Sequence, residues 1–261
     1  MNAPAGQPTI SVGGFSIDIL VQGYPGKTVC HGGLGWSTIA LIRGRNRVAL
    51  VDTGGFGVRP LLLTRLARRG LKPADVTDLL LTHAHHDHMV NWTMFGEARI
   101  VIGANEMAWA LEEPWGTTPV PELYVKELRD WKTVHAAKEG EEVLPGMTAH
   151  LVPGHTPGHL MYVLAGSERD VIFTGDAAKN RAELTCGRAD ASYDAAVSGA
   201  SIAAIWTIWR RRPGSMVVPG HDIPMVLKDG RAEYVGQREA AIKSWFGDDL
   251  ETTTAFELML A

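Results

Sequence analysis

Apolar positions along the chain change period several times, and each change marks a different element. Runs from Ile17 to Val21, Thr38 to Ile42 and Val48 to Val51 are short and rich in β-branched residues, which predicts strands. The turns between them hold glycine, as in His31-Gly32-Gly33-Leu34-Gly35 and Asp52-Thr53-Gly54-Gly55. Pro60 sits where a helix can begin, Leu61, Leu62 and Leu66 supply an apolar stripe, and Gly70 stops the helix near Arg69. Strand-like runs return at Leu79 to Leu81 and Ile100 to Ile102, with a short helix expected around Val90.

From Ala104 to Trp131 the spacing is helical but broken by Pro114, Pro119 and Pro121, so two or three short helices are expected over 104–131. Ala149 to Val152, Leu160 to Leu164, Val171 to Phe173 and Met216 to Val218 then read as strands. Ile202, Ile205, Trp206 and Trp209 form the stripe of an amphipathic helix, and Arg210, Arg211 and Arg212 complement the dipole at its end. Arg231 to Phe246 predicts a final helix packing through Tyr234, Val235, Ile242 and Trp245. Strands in both halves with helices between them imply a layered α/β arrangement with sheets covered on their outer faces.

Composition narrows the class. A chain of 261 residues, 45% hydrophobic and 21% charged, suits one globular domain over 1–261. Its apolar runs fall short of a membrane span, and Met1 to Gly14 lacks the layout of an export signal, so a cytoplasmic location is expected. The net charge of −4 leaves no whole-chain footprint for nucleic acid, although a local basic groove stays open. Cys30 and Cys186 lie far apart in sequence and read as reduced thiols.

The candidate chemistry centres on Thr82-His83-Ala84-His85-His86-Asp87-His88. Imidazole and carboxylate donors suit zinc and similar divalent ions, and no cysteine lies nearby to suggest a thiolate site. His83 and His85 can turn toward one centre, Asp87 and His88 toward a neighbouring one. Later, Pro153-Gly154-His155, Thr174-Gly175-Asp176 and Pro219-Gly220-His221 each place a donor beside glycine after a strand-like run. Together these make five histidines and two carboxylates, enough for two metals with one carboxylate shared. His86 reads as a spacer, while His31, His135 and His150 read as surface or core histidines.

This set resembles the metallo-β-lactamase superfamily, in order: Leu50-Val51-Asp52-Thr53-Gly54, the His83 to His88 motif, His155, Asp176 and His221. The resemblance implies an αββα sandwich of two mixed sheets with the site at one edge. It assigns His83, His85 and His155 to a first metal and Asp87, His88 and His221 to a second, with Asp176 bridging. Asp176 stands where the zinc β-lactamases carry cysteine and His85 where flavodiiron oxidoreductases carry glutamate, which favours a dinuclear hydrolytic centre. The phrase His155-Thr156-Pro157-Gly158-His159 and the chain length look most like the N-acyl homoserine lactonases. Those enzymes usually place tyrosine three residues after the bridging aspartate, and here that residue is Lys179.

The implied reaction is opening of a carbonyl ester, foremost a lactone, by a hydroxide bridging two divalent ions, most readily Zn2+, with Mn, Fe or Co as other fits. Asp87 and Asp176 are the catalytic carboxylates in this account. A thioester hydrolase of the hydroxyacylglutathione type, or a hydrolase of another cyclic ester or amide, shares the same centre. A non-catalytic metal or nucleic-acid module is opposed by the complete donor set and the acidic balance. Lys179 and Arg181 are candidate substrate anchors, against the alternative that Lys179, Asn180, Arg181 and Arg188 form a solvated loop. Asp52 either orients a ligand histidine or makes its turn, and His159 either supports a ligand or packs. Trp92, Trp109, Trp115, Tyr124 and Trp131 are core or pocket lining. The expected partner is a small-molecule substrate rather than nucleic acid or membrane, with a homodimer left open.

Overall fold

The computed structural model describes residues 9–259, so the first eight residues of the stretch read for an export signal lie outside the described residues. Seven strands form a first sheet in chain order: β1 (Ile10–Val12), β2 (Phe15–Val21), β3 (Ile39–Gly44), β4 (Arg47–Val51), β5 (Asp78–Leu80), β6 (Arg99–Gly103) and β7 (Val134–Ala137). A second sheet takes the next seven: β8 (Glu142–Leu144), β9 (Met147–Leu151), β10 (Leu160–Leu164), β11 (Val171–Gly175), β12 (Met216–Pro219), β13 (Met225–Lys228) and β14 (Arg231–Tyr234). Pairing is antiparallel from β1 to β4 and parallel from β4 to β7; in the second sheet only β11 and β12 pair in parallel.

Period-two alternation decides which face meets which core. Ala40, Ile42, Ala49 and Val51 point inward and meet Ala149, Tyr162, Leu164 and Phe173 of the facing sheet. Ile39, Leu41 and Leu50 point the other way, under α1 (Arg59–Ala67), the short α2 (His86–Met89), α3 (Ala104–Glu112) and α4 (Glu122–Arg129). On the far side, Ile172 and Val217 are covered by α5 (Arg181–Cys186) through Leu184 and by α6 (Ala195–Trp209) through Ile202, Ile205 and Trp209. The result is the expected α/β sandwich, with helices outside two mixed sheets. The proline-broken segment 104–131 does form two short helices, α3 and α4.

The C-terminal expectation fails. Residues Arg231 to Phe246 do not form a helix: Arg231–Tyr234 is the outer strand of the second sheet, and Ala241–Ser244 pairs with Thr254–Glu257 in a two-stranded ribbon. Asp229 and Gly230 both adopt positive φ, 50° and 75°, the two-residue turn that folds β14 back on β13. Gly236, at φ 86°, then bars helix continuation. The short helix expected around Val90 begins within the metal motif, as a helical turn at His86–Met89 continued by a 3-10 stretch at Val90–Met94. Among the described residues no helix is long and apolar enough to cross a membrane, and both cysteines are free and exposed.

Trp209 closes the helix-covered core of the second sheet: it is fully buried and its indole N–H donates to the Ser215 carbonyl at 2.8 Å. Trp209→Ala is expected to cost about 3–5 kcal/mol, from lost burial and the cavity left behind. Urea unfolding measures this, and an unchanged midpoint would contradict it.

Candidate metal centre

β4 and β5 run in one direction, and β9, β11 and β12 share a direction in the second sheet. The turns leaving these five strand ends carry Asp52, the His83 to His88 motif, His155, Asp176 and His221. Carboxyl ends of parallel strands gather function because neighbouring turns open on the same edge.

Asp52 fixes the first sheet's contribution. Its backbone has φ 57°, a left-handed turn that aspartate tolerates, and its carboxylate accepts from the Thr82 N–H at 2.8 Å and the Thr82 hydroxyl at 2.9 Å. The same carboxylate lies 2.8 Å from His88 Nδ1, so Asp52 both makes the turn and orients His88. Thr82 Oγ1 in turn lies 3.0 Å from His83 Nδ1, which leaves Nε2 of His83 as the inward-facing atom.

Three clusters result, His83–His85–His155, His83–His88–Asp176 and Asp87–His88–His221, each with donor atoms within 4.8 Å of one another. Asp176 Oδ1 lies 3.3 Å from Nε2 of both His88 and His221, while Oδ2 lies 3.4 Å from His155 Nε2. His155 Nε2 and His85 Nδ1 are 3.0 Å apart, and His221 Nε2 is 3.3 Å from Asp87 Oδ2. His86 is exposed and belongs to none of the clusters. Gly220 allows this convergence, because a Cβ there would meet Asp176 Oδ1 at 2.1 Å.

Burial sets the charge pattern. It holds His83 and His155 well below the ordinary imidazole value and brings His85 down to about 4, so these rings are neutral with lone pairs available. For His88 and His221 burial acts in the same direction but is outweighed by carboxylates, Asp176 first, and both are raised. Asp176 is held well below the usual carboxylate range despite burial, through His221, His88 and His155. The donor set fits divalent cations: Nε2 of His83 is buried without a hydrogen-bond partner although it faces this cluster, an orphan that a metal would satisfy. His83, His85 and His155 would hold one ion, Asp87, His88 and His221 another, with Asp176 between them.

Two supports stand behind the clusters. His159, stacked on His83 with ring centroids 4.8 Å apart, accepts the Asp176 N–H on Nε2 at 3.0 Å; burial brings its own value down to about 3. The other support was not anticipated. Glu106, fully buried on α3, accepts from the Ala84 N–H at 2.8 Å, the Thr156 hydroxyl at 2.7 Å and the Gly158 N–H at 3.1 Å. It ties the turn of His83 and His85 to that of His155. A glutamate within a helical stripe carries no sequence signal for this role; Gly158, whose Cβ would meet the Glu106 N at 1.9 Å, is the one nearby hint of close approach.

A cavity of about 700 Å³ opens over the clusters, walled by Tyr24, Trp109, Pro119, Tyr193 and the Gly32–Gly35 turn. Of the five aromatics singled out between Trp92 and Trp131, Trp109 alone lines it. Trp92 and Trp131 pack together, Tyr124 packs on Phe56, and exposed Trp115 meets Lys126. Lys179 reaches the cavity wall, yet its ammonium is paired with Glu183 at 2.8 Å and donates to the Asp190 carbonyl. Arg181 departs from the expectation of an anchor beside the metals: its guanidinium lies 4.3 Å over the Tyr234 ring, outside this cavity, because Asp222 accepts its backbone N–H and α5 starts there. His31 is exposed, and His135 and His150 pair with Glu141 and Glu139 away from the clusters.

The profile described as the metallo-beta-lactamase superfamily matches residues 32–221. The chain belongs to that superfamily, as a metal-dependent hydrolase with a histidine–aspartate metal site. It is similar to metallo-beta-lactamase domain-containing protein 1 of Xenopus laevis, 27% identical over 222 residues, 83% of this chain and 84% of that one. An N-acyl homoserine lactonase of Bacillus cereus is 27% identical over 165 residues, and the match spans 62% of each chain. In fold it is similar to AidC, a dizinc quorum-quenching lactonase solved with its product, at a TM-score of 0.70 and 17% identity, over 90% of this chain and 98% of that one.

Burial pushes the Glu106 carboxyl up to about 7 against three hydrogen bonds that favour its ionised form. The folded value lies above the ordinary one near 4.5, so its stabilising contribution is full below about pH 4.5 and is lost as pH rises through about 7. The loss is on the order of 3 kcal/mol. Unfolding of chelator-treated protein across that range should show it, and Glu106→Gln should flatten it; identical slopes would remove Glu106 as the source.

Proposed function

We propose that this chain is a dinuclear hydrolase that opens a carbonyl ester, with a lactone such as an N-acyl homoserine lactone as its substrate class. Asp176 carries the reading: one oxygen faces His88 and His221 and the other faces His155, so one side chain serves two donor clusters. The likeness to lactonases supports the choice of ester. So do the walls of the cavity, where Lys179 is paired with the buried Glu183 and Lys27 with Asp190 at the exposed rim, beside Tyr24, Trp109 and Tyr193. Such walls suit an uncharged ring with an acyl tail better than a charged thiol carrier.

Two divalent ions, zinc by donor type, would polarise the carbonyl and ionise water near neutral pH when bound there. The chain's own residues do the rest. Asp87, with 27% of its side chain exposed toward the cavity, is placed to carry a proton to the departing alkoxide oxygen. Asp176, fully withdrawn and fixed through its N–H by His159, holds the two clusters in register.

Purified protein is expected to carry close to two metal equivalents per chain and to open N-acyl homoserine lactones faster than it cleaves glutathione thioesters. Asp176→Ala should remove metal and lower turnover by more than about 100-fold, beyond the usual effect of changing an outer hydrogen-bond partner. Metal analysis with a ring-opening assay reads both; full turnover after chelation would overturn the proposal.

A further inference from the structure

Two further cavities of about 670 and 870 Å³, lined by none of the seven metal donors, adjoin each other, sharing Arg181 and Thr185. The first also shares Tyr24, Pro25 and Asn180 with the metal-side cavity. Arg181 and Arg238 line the first, and Arg181, Arg210 and Arg231 line the second. Three of these guanidinium groups lie against rings: Arg181 is 4.3 Å and Arg238 5.6 Å from the Tyr234 centroid, and Arg210 is 4.7 Å from that of Trp206.

Four arginines here face one carboxylate. Asp222 is buried and its oxygens are occupied, accepting from Arg238 Nη2, the Tyr234 hydroxyl and the backbone N–H groups of Arg181 and Ile223. Among the described residues Arg181, Arg210 and Arg231 pair with no carboxylate. Arg238 keeps only 10% of its side chain exposed, and its Nη1 is buried without a partner. In a chain of net charge −4 this is a local excess of positive charge. Guanidinium forks match phosphate oxygens in pairs, and a guanidinium plane backed by a ring can itself stack on a planar group. The volumes suit a small ligand, and the acidic whole disfavours a long polyanion.

We propose that this arginine–aromatic groove binds a phosphate ester of nucleotide size, beside the metal centre and separate from it. The inference goes beyond the hydrolase reading and does not require it. Calorimetric titration of the metal-loaded protein with ADP, adenosine and inorganic phosphate tests it, alongside an Arg210→Ala/Arg231→Ala double variant in which both replaced side chains are exposed. ADP is expected to bind at least about tenfold more tightly than adenosine or phosphate, and the double variant to weaken ADP by about tenfold or more, roughly 1.4 kcal/mol. No ADP binding at about millimolar concentration would overturn the proposal. So would phosphate binding as well as ADP, or a single-stranded oligonucleotide binding more tightly than ADP. ADP binding untouched by the double variant and abolished by chelation would place the nucleotide on the metals, and would overturn it as well.

Discussion

Gathering five imidazoles and two carboxylates, most of them buried, at the edge where the two sheets meet is the constraint on which the remaining architecture depends. Low polarisability disfavours every charge there, and the two halves of the cluster answer differently. His83, His85 and His155 become neutral donors, whereas His88 and His221 gain proton affinity from the carboxylates around them. Such a concentration is unfavourable unless each member is held in place. Asp52 holds His88, Thr82 holds His83, His159 holds the Asp176 backbone, and Glu106 ties together the turns beside them.

The sandwich supplies that rigidity through geometry rather than through any exceptional contact. Alternating faces send one set of side chains into the core between the sheets and the other set under helices, so each strand is fixed from both sides. Strand ends pinned in this way aim their turns reproducibly. Two turns need glycine for a further reason: at Gly158 and Gly220 a side chain would collide with Glu106 and Asp176, respectively.

The layered α/β class, most strand positions and the seven converging donors were legible because each leaves a local mark: period-two runs, glycine-bounded turns, and histidine with aspartate at short spacing. Three things left no such mark, or a mark that was outweighed. The segment from Arg231 onward has apolar residues at helical spacing, but the Asp229-Gly230 turn and Gly236 override it. Glu106 acts through partners at Ala84, Thr156 and Gly158, a relation visible only in three dimensions. Arg181 follows the site closely in sequence, yet the start of α5 directs it to Tyr234.

Each sheet is made from one unbroken stretch of chain, residues 10–137 for the first and 142–234 for the second. Within each sheet every strand therefore pairs with its neighbours in sequence, and the pairings are local in the chain. The donor clusters have no such locality: His83, His85, Asp87 and His88 come from the first stretch, His155, Asp176 and His221 from the second. Each three-donor cluster is thus complete only when the halves dock, and an ion that bound this state alone would stabilise it over every half-assembled form. A cation held by these clusters would therefore also fasten one half of the fold to the other.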